Sequence, residues 1–258
     1  MAGGGDLGRA QGTLTRRAMP FRRRSVKGGV RHRSLRTQVT AAARLDEAAT
    51  LVPDVASVIH RMLRRRDSNG LVLASTSPQR RAILEQLRIP FAVVAPSYVE
   101  DDELDVEPSE LVRRHAAGKA RSVHGVAQVT LGVDTTVVLD GRMYGKAADR
   151  TEAKRMLQDL AGRTHTVVSG LCLLAEEEET LETESTAVTF RELSPPALEQ
   201  YLESGEWEGR AGAYAIQGLG GRLVERIEGD YLNVVGLPGA LLVSLLEKHA
   251  PKLLETPR

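Results

Sequence analysis

Residues 129–141 read VTLGVDTTVVLDG, and the reading of the whole chain starts from them. From Val129 to Leu139 the run is apolar and β-branched, which predicts a long buried strand. Asp140-Gly141 closes it with a strong hairpin turn. Asp134 stands in the middle of that run. A carboxylate in a buried strand is costly unless it is paired or binds a cation, and aspartate is a poor strand former. Asp134 therefore reads as a functional carboxylate rather than a structural ion pair. It can serve as general base toward water, as metal ligand, or as both in different states.

Working outward, the same alternation of strands and helices recurs. Upstream, Leu71–Ala74 is a short apolar strand, and Ser77-Pro78 opens a helix to about Leu87 that buries Ile83, Leu84 and Leu87. Phe91–Ala95 is a second strand, and 108–123 a helix with Leu111, Val112, Ala116 and Ala120 as its apolar stripe. Downstream, Asp149 with Glu152 starts a helix over Ala153, Met156, Leu157 and Leu160, which Gly162 stops. Thr166–Ala175 reads as a strand, Glu176–Glu179 as an acidic loop, and Thr186–Phe190 as the hairpin partner. A helix from Ser194-Pro195 to Gly205, a glycine-rich stretch, a strand over Arg222–Ile227 and a helix from Pro238 to Lys248 complete the body. The pattern is α/β, with no internal repeat.

The composition bounds the rest. With 41% hydrophobic but only 3% aromatic residues, the core must be aliphatic. Eleven Lys/Arg and one acidic residue precede Leu45, so a basic tail of +10 sits on a body of −9. Residues 1–44 lack apolar periodicity and are expected to be disordered; 45–66 predict a short helix after Pro53, and 67–70 a linker turn. Residues 1–70 are thus read as a disordered or partly helical basic extension, and 71–250 as the folded domain. The tail's charge would suit nucleic acid or an anionic membrane. A start codon placed too far upstream, with the real protein beginning near Met62 or just upstream of Leu71, is the preferred explanation. The tail also has some transit-peptide character but no secretory apolar segment. A single cysteine, Cys172, excludes an intrachain disulfide and is read as core packing. No apolar run has the length of a membrane span, and the expected location is the cytoplasm.

Four segments carry possible chemistry. In Ser75-Thr-Ser-Pro-Gln-Arg80-Arg81, a strand hands over to a helix whose N-terminal amides, hydroxyls and guanidiniums suit a phosphate; a plain cap with solvated arginines is the bland alternative. Asp134 is the second. Lys119 and Lys146 are the third, ordinary singly but together a set of cations fit for a polyphosphate. The fourth is AYAIQGLGG (213–221), where glycines admit a ligand and Gln217 offers a donor and an acceptor to a base edge. A Walker A loop, a dinucleotide fingerprint and HExxH are all absent.

Taken together, LASTSPQRRAIL (73–84), HAAGKA (115–120), GVDTTVVLDG (132–141), Gly145-Lys146, MLQDLAGRTHTVVSG (156–170), GRAGAYAIQGLG (209–220) and VERIEGDYLNVVGLP (224–238) resemble the Maf family. These proteins are known as septum formation inhibitors and as nucleoside triphosphate pyrophosphatases. The resemblance runs from Leu71 to about Lys248. It implies a two-lobed mixed sheet flanked by helices, with a deep central cleft of the Maf/ITPase type. It also implies hydrolysis of an NTP to NMP and pyrophosphate with a divalent metal, Mg or Mn, and often a homodimer. Carried over by position, Asp134 is the proton acceptor, while Ser75, Arg80, Lys119 and Lys146 hold the phosphates. Glu100 joins Asp134 at the metal. Gln79, Thr135 and Gln217 occupy the three places that set base choice. Thr135 and Gln217 agree with the dTTP/UTP branch, whereas Gln79 stands where that branch has arginine. The tryptophan, glutamine and glutamate of the 7-methyl-GTP branch are not at these places. Ala147 replaces the proline usual after Gly-Lys. House-cleaning of non-standard nucleotides and a part in cell-division arrest belong to the same implication. The alternative is a nucleotide-binding regulator of septum formation whose hydrolysis is incidental.

Overall fold

The structure is a computed structural model that describes residues 70–255, apart from 102–105, 124, 126 and 176–177. The expectations for the basic extension before residue 70 lie outside the described residues.

The strand expected at Val129 is the axis of a mixed sheet. In chain order the elements are β1 (Leu71–Ala74), α1 (Pro78–Gln86), β2 (Phe91–Val94), α2 (Pro108–Ser122), β3 (Val129–Leu139) and β4 (Arg142–Tyr144). There follow α3 (Arg150–Leu160), β5 (Thr164–Ala175), β6 (Glu178–Phe190), α4 (Pro195–Glu203), β7 (Val224–Glu228), α5 (Tyr231–Val235) and α6 (Gly239–His249). The order across the sheet is β2-β1-β3-β5-β6-β7, with β4 also paired to β3. β1 runs parallel to β2 and β3, and the remaining pairs are antiparallel.

One edge of β3 is interrupted. β5 pairs along residues 129–138, but on the other edge β1 covers only 129–132 and β4 only 137–139. Residues 133–136 have no strand partner on that edge among the described residues. This places an opening beside Asp134, at the carboxyl end of β1, where α/β sheets bind ligands.

The two faces of β3 differ as period 2 requires. Leu131, Val133, Val137 and Leu139 share one face and are buried in two separate hydrophobic cores. The first core joins β1, α1 and α6; the second joins α3, α4, Phe190 and Tyr214. Between them on that face lies Thr135, whose hydroxyl meets that of the buried Ser169 across the ladder at 2.9 Å. A polar rung thus divides the two lobes. The other face carries Gly132 and Asp134, opposite Cys172 and Gly170 of β5, and α2 lies on it.

The two glycines permit an unusually close seat for α2. A Cβ on Gly132 would lie 2.1 Å from the Ala116 carbonyl oxygen, and one on Gly170 would lie 2.4 Å from that of Val112. Ala116, Ala117 and Ala120 pack there against Cys172 and Leu174. Burial pushes the Cys172 thiol up to about 12, in keeping with core packing.

Most expected elements are present within a few residues. Asp149 caps α3 by accepting from Glu152 N at 2.8 Å, and Glu152 accepts from Ala148 N. Two readings change. β6 begins at Glu178, not Thr186, because the whole length of β5 pairs with it although its first half is polar and mostly exposed. The short helix α5, capped by Asp230, occupies a segment read only as part of a motif.

Substituting Gly132→Ala should force α2 off the sheet and cost about 1–3 kcal/mol, the usual penalty of overpacking. Gly145→Ala, where an added Cβ meets nothing within 4 Å, should be close to neutral. Urea midpoints of the two variants check this, and equal midpoints would show that the close seat is not required.

Candidate active site

His115 and Lys119 lie four residues apart on α2, so they project from the same face toward β3. Lys119 Nζ is 2.6 Å from Asp134 Oδ1 and 2.6 Å from Glu100 Oε1, and His115 Nδ1 is 3.5 Å from Asp134 Oδ2. His115 and Lys119 are buried, Asp134 is 14% exposed at its side chain, and Glu100 is 33% exposed. Burial by itself would raise the Asp134 carboxyl. The hydrogen bond from His115, with the charges of Lys119 and Arg80, outweighs it and brings the group down to about 2. Asp134 is therefore a carboxylate at any ordinary pH.

Arg80 reaches the same opening from α1. Its Nε donates to Gly236 O at 2.9 Å, Nη1 to Val133 O at 2.8 Å and Ser75 Oγ at 3.2 Å, and Nη2 to Thr135 Oγ1 at 3.2 Å. Burial lowers its pKa, against the opposing pull of Asp134 and Glu100. Arg80 thus fills the unpaired edge of β3 and bolts it to α1 and to the end of α5. Four N–H directions of its five are spent on the protein.

The cavity around these residues has a volume of about 550 Å³. Ser75, Arg80, Glu100, Lys119, Asp134 and Lys146 all line it, so the expected charged set meets in one place. Gln79 and Thr135 line it too. Gln79 Oε1 accepts the Ser77 hydroxyl at 3.0 Å, so Ser77 does not cap α1 through its side chain. Pro78 has no amide hydrogen, no side chain caps the amides that follow it, and Ser77, Pro78, Gln79 and Arg80 line the cavity. Arg81 turns away and pairs with Glu85 on the surface. Gln217 is exposed in a turn and is not among the lining residues.

The second lobe contributes Lys146, Glu208, Arg210 and Tyr214. Lys146 bridges to Ala211, and Gly212 N donates to Tyr144 O at 2.9 Å, so the two segments hold each other. Trp207 anchors this region, its Nε1 donating to Leu202 O at 3.1 Å. Sequence reasoning passed over His115 and Arg210, although both stand inside quoted motifs. The spacing of His115 to Lys119 on one helical face was a usable signal; nothing local marked Arg210.

The residues fit a divalent cation. Ligand atoms of Glu100, His115 and Asp134 all lie within 4.8 Å of one another, and two carboxylates supply the hard oxygens that Mg²⁺ or Mn²⁺ prefers. The Lys119 ammonium already rests between those carboxylates. Among the described residues no helix is long and apolar enough to cross a membrane.

Comparison with known proteins bears on this arrangement. The family described as Maf-like protein matches residues 70–249. A dTTP/UTP pyrophosphatase of Symbiobacterium thermophilum is 46% identical over 178 residues, covering 68% of this chain and 92% of that protein. One of Pyrococcus furiosus is 42% identical over 180 residues, covering 69% and 94%. Among solved structures, a HAM1 protein from Coxiella burnetii aligns over 47% of this chain and 72% of that chain, at a TM-score of 0.34 and 16% identity. That likeness is too slight to carry an argument.

The cavity wall also sets a pH response. Tyr214 shares its hydroxyl with His165 Nε2 at 3.0 Å, and both rings stack edge-on with Phe190. Burial brings the His165 imidazole down to about 4. Between about 6.5 and 4 the unfolded chain therefore binds a proton that the native state refuses, and stability must fall as pH falls through that window. The full effect is about 3 kcal/mol at 1.36 kcal/mol per unit. Asp134, whose pKa is depressed, loses its contribution only at lower pH, toward about 2. Urea midpoints at pH 7, 5 and 4 should decline for the native chain and decline less for His165→Gln; parallel declines would exonerate His165.

Proposed function

This chain belongs to the Maf family, and from that premise we propose that it hydrolyses nucleoside triphosphates to the monophosphate and pyrophosphate, with dTTP and UTP as its substrates. The observation that carries the reading is the convergence of Asp134, held ionised, with Arg80, Lys119, Glu100 and Lys146 in one cavity. Thr135 at the cavity, and the activity named for the relatives, support the pyrimidine choice. Gln217 lies in an exposed turn outside the lining.

The chemistry follows from charge. A water oxygen attacks the α-phosphorus, the bond from that phosphorus to the bridging oxygen breaks, and pyrophosphate leaves with the electron pair. Asp134 orients the water and takes its proton, which then passes to solvent. Lys119, Lys146 and the uncapped amides of α1 hold the phosphate oxygens, and Arg80 supplies a fixed positive charge with one free N–H direction. Glu100 and Asp134, with His115 behind them, would hold the divalent ion, which when bound neutralises phosphate charge. The two lobes place these groups around one cavity.

Full-length protein with Mg²⁺ or Mn²⁺ and a panel of triphosphates should release monophosphate and pyrophosphate, fastest from dTTP and UTP. Inorganic phosphate as the sole product would contradict the assigned bond. Asp134→Asn should keep the fold and lose about 10²–10⁴-fold in kcat, the usual worth of a general base. An Asp134→Asn enzyme at full rate would remove Asp134 from the reaction.

A further inference from the structure

The first-lobe wall of the cavity is close to electroneutral. Its two cations, Arg80 and Lys119, face two anions, Asp134 and Glu100, and most donors of Arg80 are already used. A polyphosphate brings several negative charges, more than that wall balances even with a divalent ion at Glu100 and Asp134. The second-lobe wall carries two further cations, Lys146 and Arg210, against one exposed anion, Glu208. It is the wall with positive charge to spare.

Arg210 has the features of a group awaiting an anion. It lines the cavity, its Nε is buried, and that nitrogen has no hydrogen-bond partner among the described residues. A buried donor left unpaired costs about 1–3 kcal/mol, so this guanidinium gains from any acceptor that its side chain can turn to meet. The bridge between Lys146 and Ala211 holds the Arg210 backbone beside that of Lys146, so the two cations share one rigid support. Gly212 N, donating to Tyr144 O and Gly145 O, closes the support on the other side. A guanidinium held so is suited to a forked contact with phosphate oxygens, which lysine cannot copy.

We propose that Arg210 is a substrate-binding residue that grips the β,γ-phosphates of the nucleoside triphosphate from the lobe opposite Asp134, alongside Lys146. The assignment rests on the pyrophosphatase reading and adds to it the group that balances the leaving pyrophosphate. It also gives the second lobe a reason to carry a charged strut rather than an apolar one.

The test is equilibrium binding by calorimetry, with the full chain, Mg²⁺ and an α,β-methylene pyrimidine nucleoside triphosphate that cannot be cleaved. Arg210→Met should weaken binding at least tenfold, and Arg210→Lys about threefold, since charge is kept but the fork is lost. The matching monophosphate should lose far less. Arg210→Met binding as tightly as the native chain would overturn the proposal, and so would equal losses for mono- and triphosphate, which would put the contact at the sugar, base or α-phosphate. Should Arg210→Met fail to fold, Arg210→Lys decides: affinity equal to native for the analogue refutes the forked contact. A native chain that binds no triphosphate analogue at all sinks the pyrophosphatase reading, and this proposal with it.

Discussion

An ionised carboxylate inside a sheet is tolerable only when cations meet it at hydrogen-bond distance, and much of this fold answers that requirement at Asp134. Lys119 can reach Asp134 at 2.6 Å because α2 lies almost on the backbone of β3 and β5. It lies there because Gly132 and Gly170 leave no side chain in the way. The alanines of α2 continue the same close fit beside them. The sequence of β3 and that of α2 are thus one solution to one electrostatic problem, although they are read as separate elements.

The same strand accounts for the cleft. Ladder pairing on one edge stops at Gly132 and resumes at Val137, and the backbone between them needs partners. Arg80 supplies one at Val133 O, and Lys119 Nζ approaches that oxygen at 3.4 Å. On the face away from α2, the Thr135–Ser169 rung interrupts the aliphatic packing, so the core forms as two bodies with a polar seam. Arg80 ties the seam by joining α1, β3 and Gly236 at the end of α5. Its role is therefore as much structural as cationic, which differs from the simple phosphate clamp that its place in STSPQRR suggests.

Local sequence was most informative where one physical signal ruled. Period and β-branching revealed β3, and a charge in a buried run singled out Asp134, because each is a property of neighbours along the chain. The meeting of Lys119 and Lys146 with Asp134 is not of that kind; it depends on helix seating and on a hairpin's return, and the resemblance to Maf proteins carried it. Arg210 was invisible for the opposite reason, since a loop arginine is ordinary until its neighbours are known, and His115 was marked only by its four-residue spacing from Lys119. The polar half of β6 looked like a loop because strand formation there is imposed by β5 rather than by alternation. Gln217 stands apart from the other motif residues, exposed in a turn outside the cavity lining.

The cation cluster has two duties that oppose each other. Lys119 permits Asp134 to be buried, but together with His115 and Arg80 it leaves a carboxyl near 2, which is a weak acceptor for the proton of an attacking water. In that state Asp134 orients better than it accepts. Lys119 is shared, however, between Asp134 and Glu100, and it lines the cavity where phosphate oxygens would lie. On the pyrophosphatase reading, an arriving phosphate chain competes for that ammonium, and each step it takes toward phosphate raises the basicity of Asp134. The same ammonium thus permits the carboxylate to be buried and limits its basicity, so a ligand that draws Lys119 toward itself acts on Asp134 without moving it.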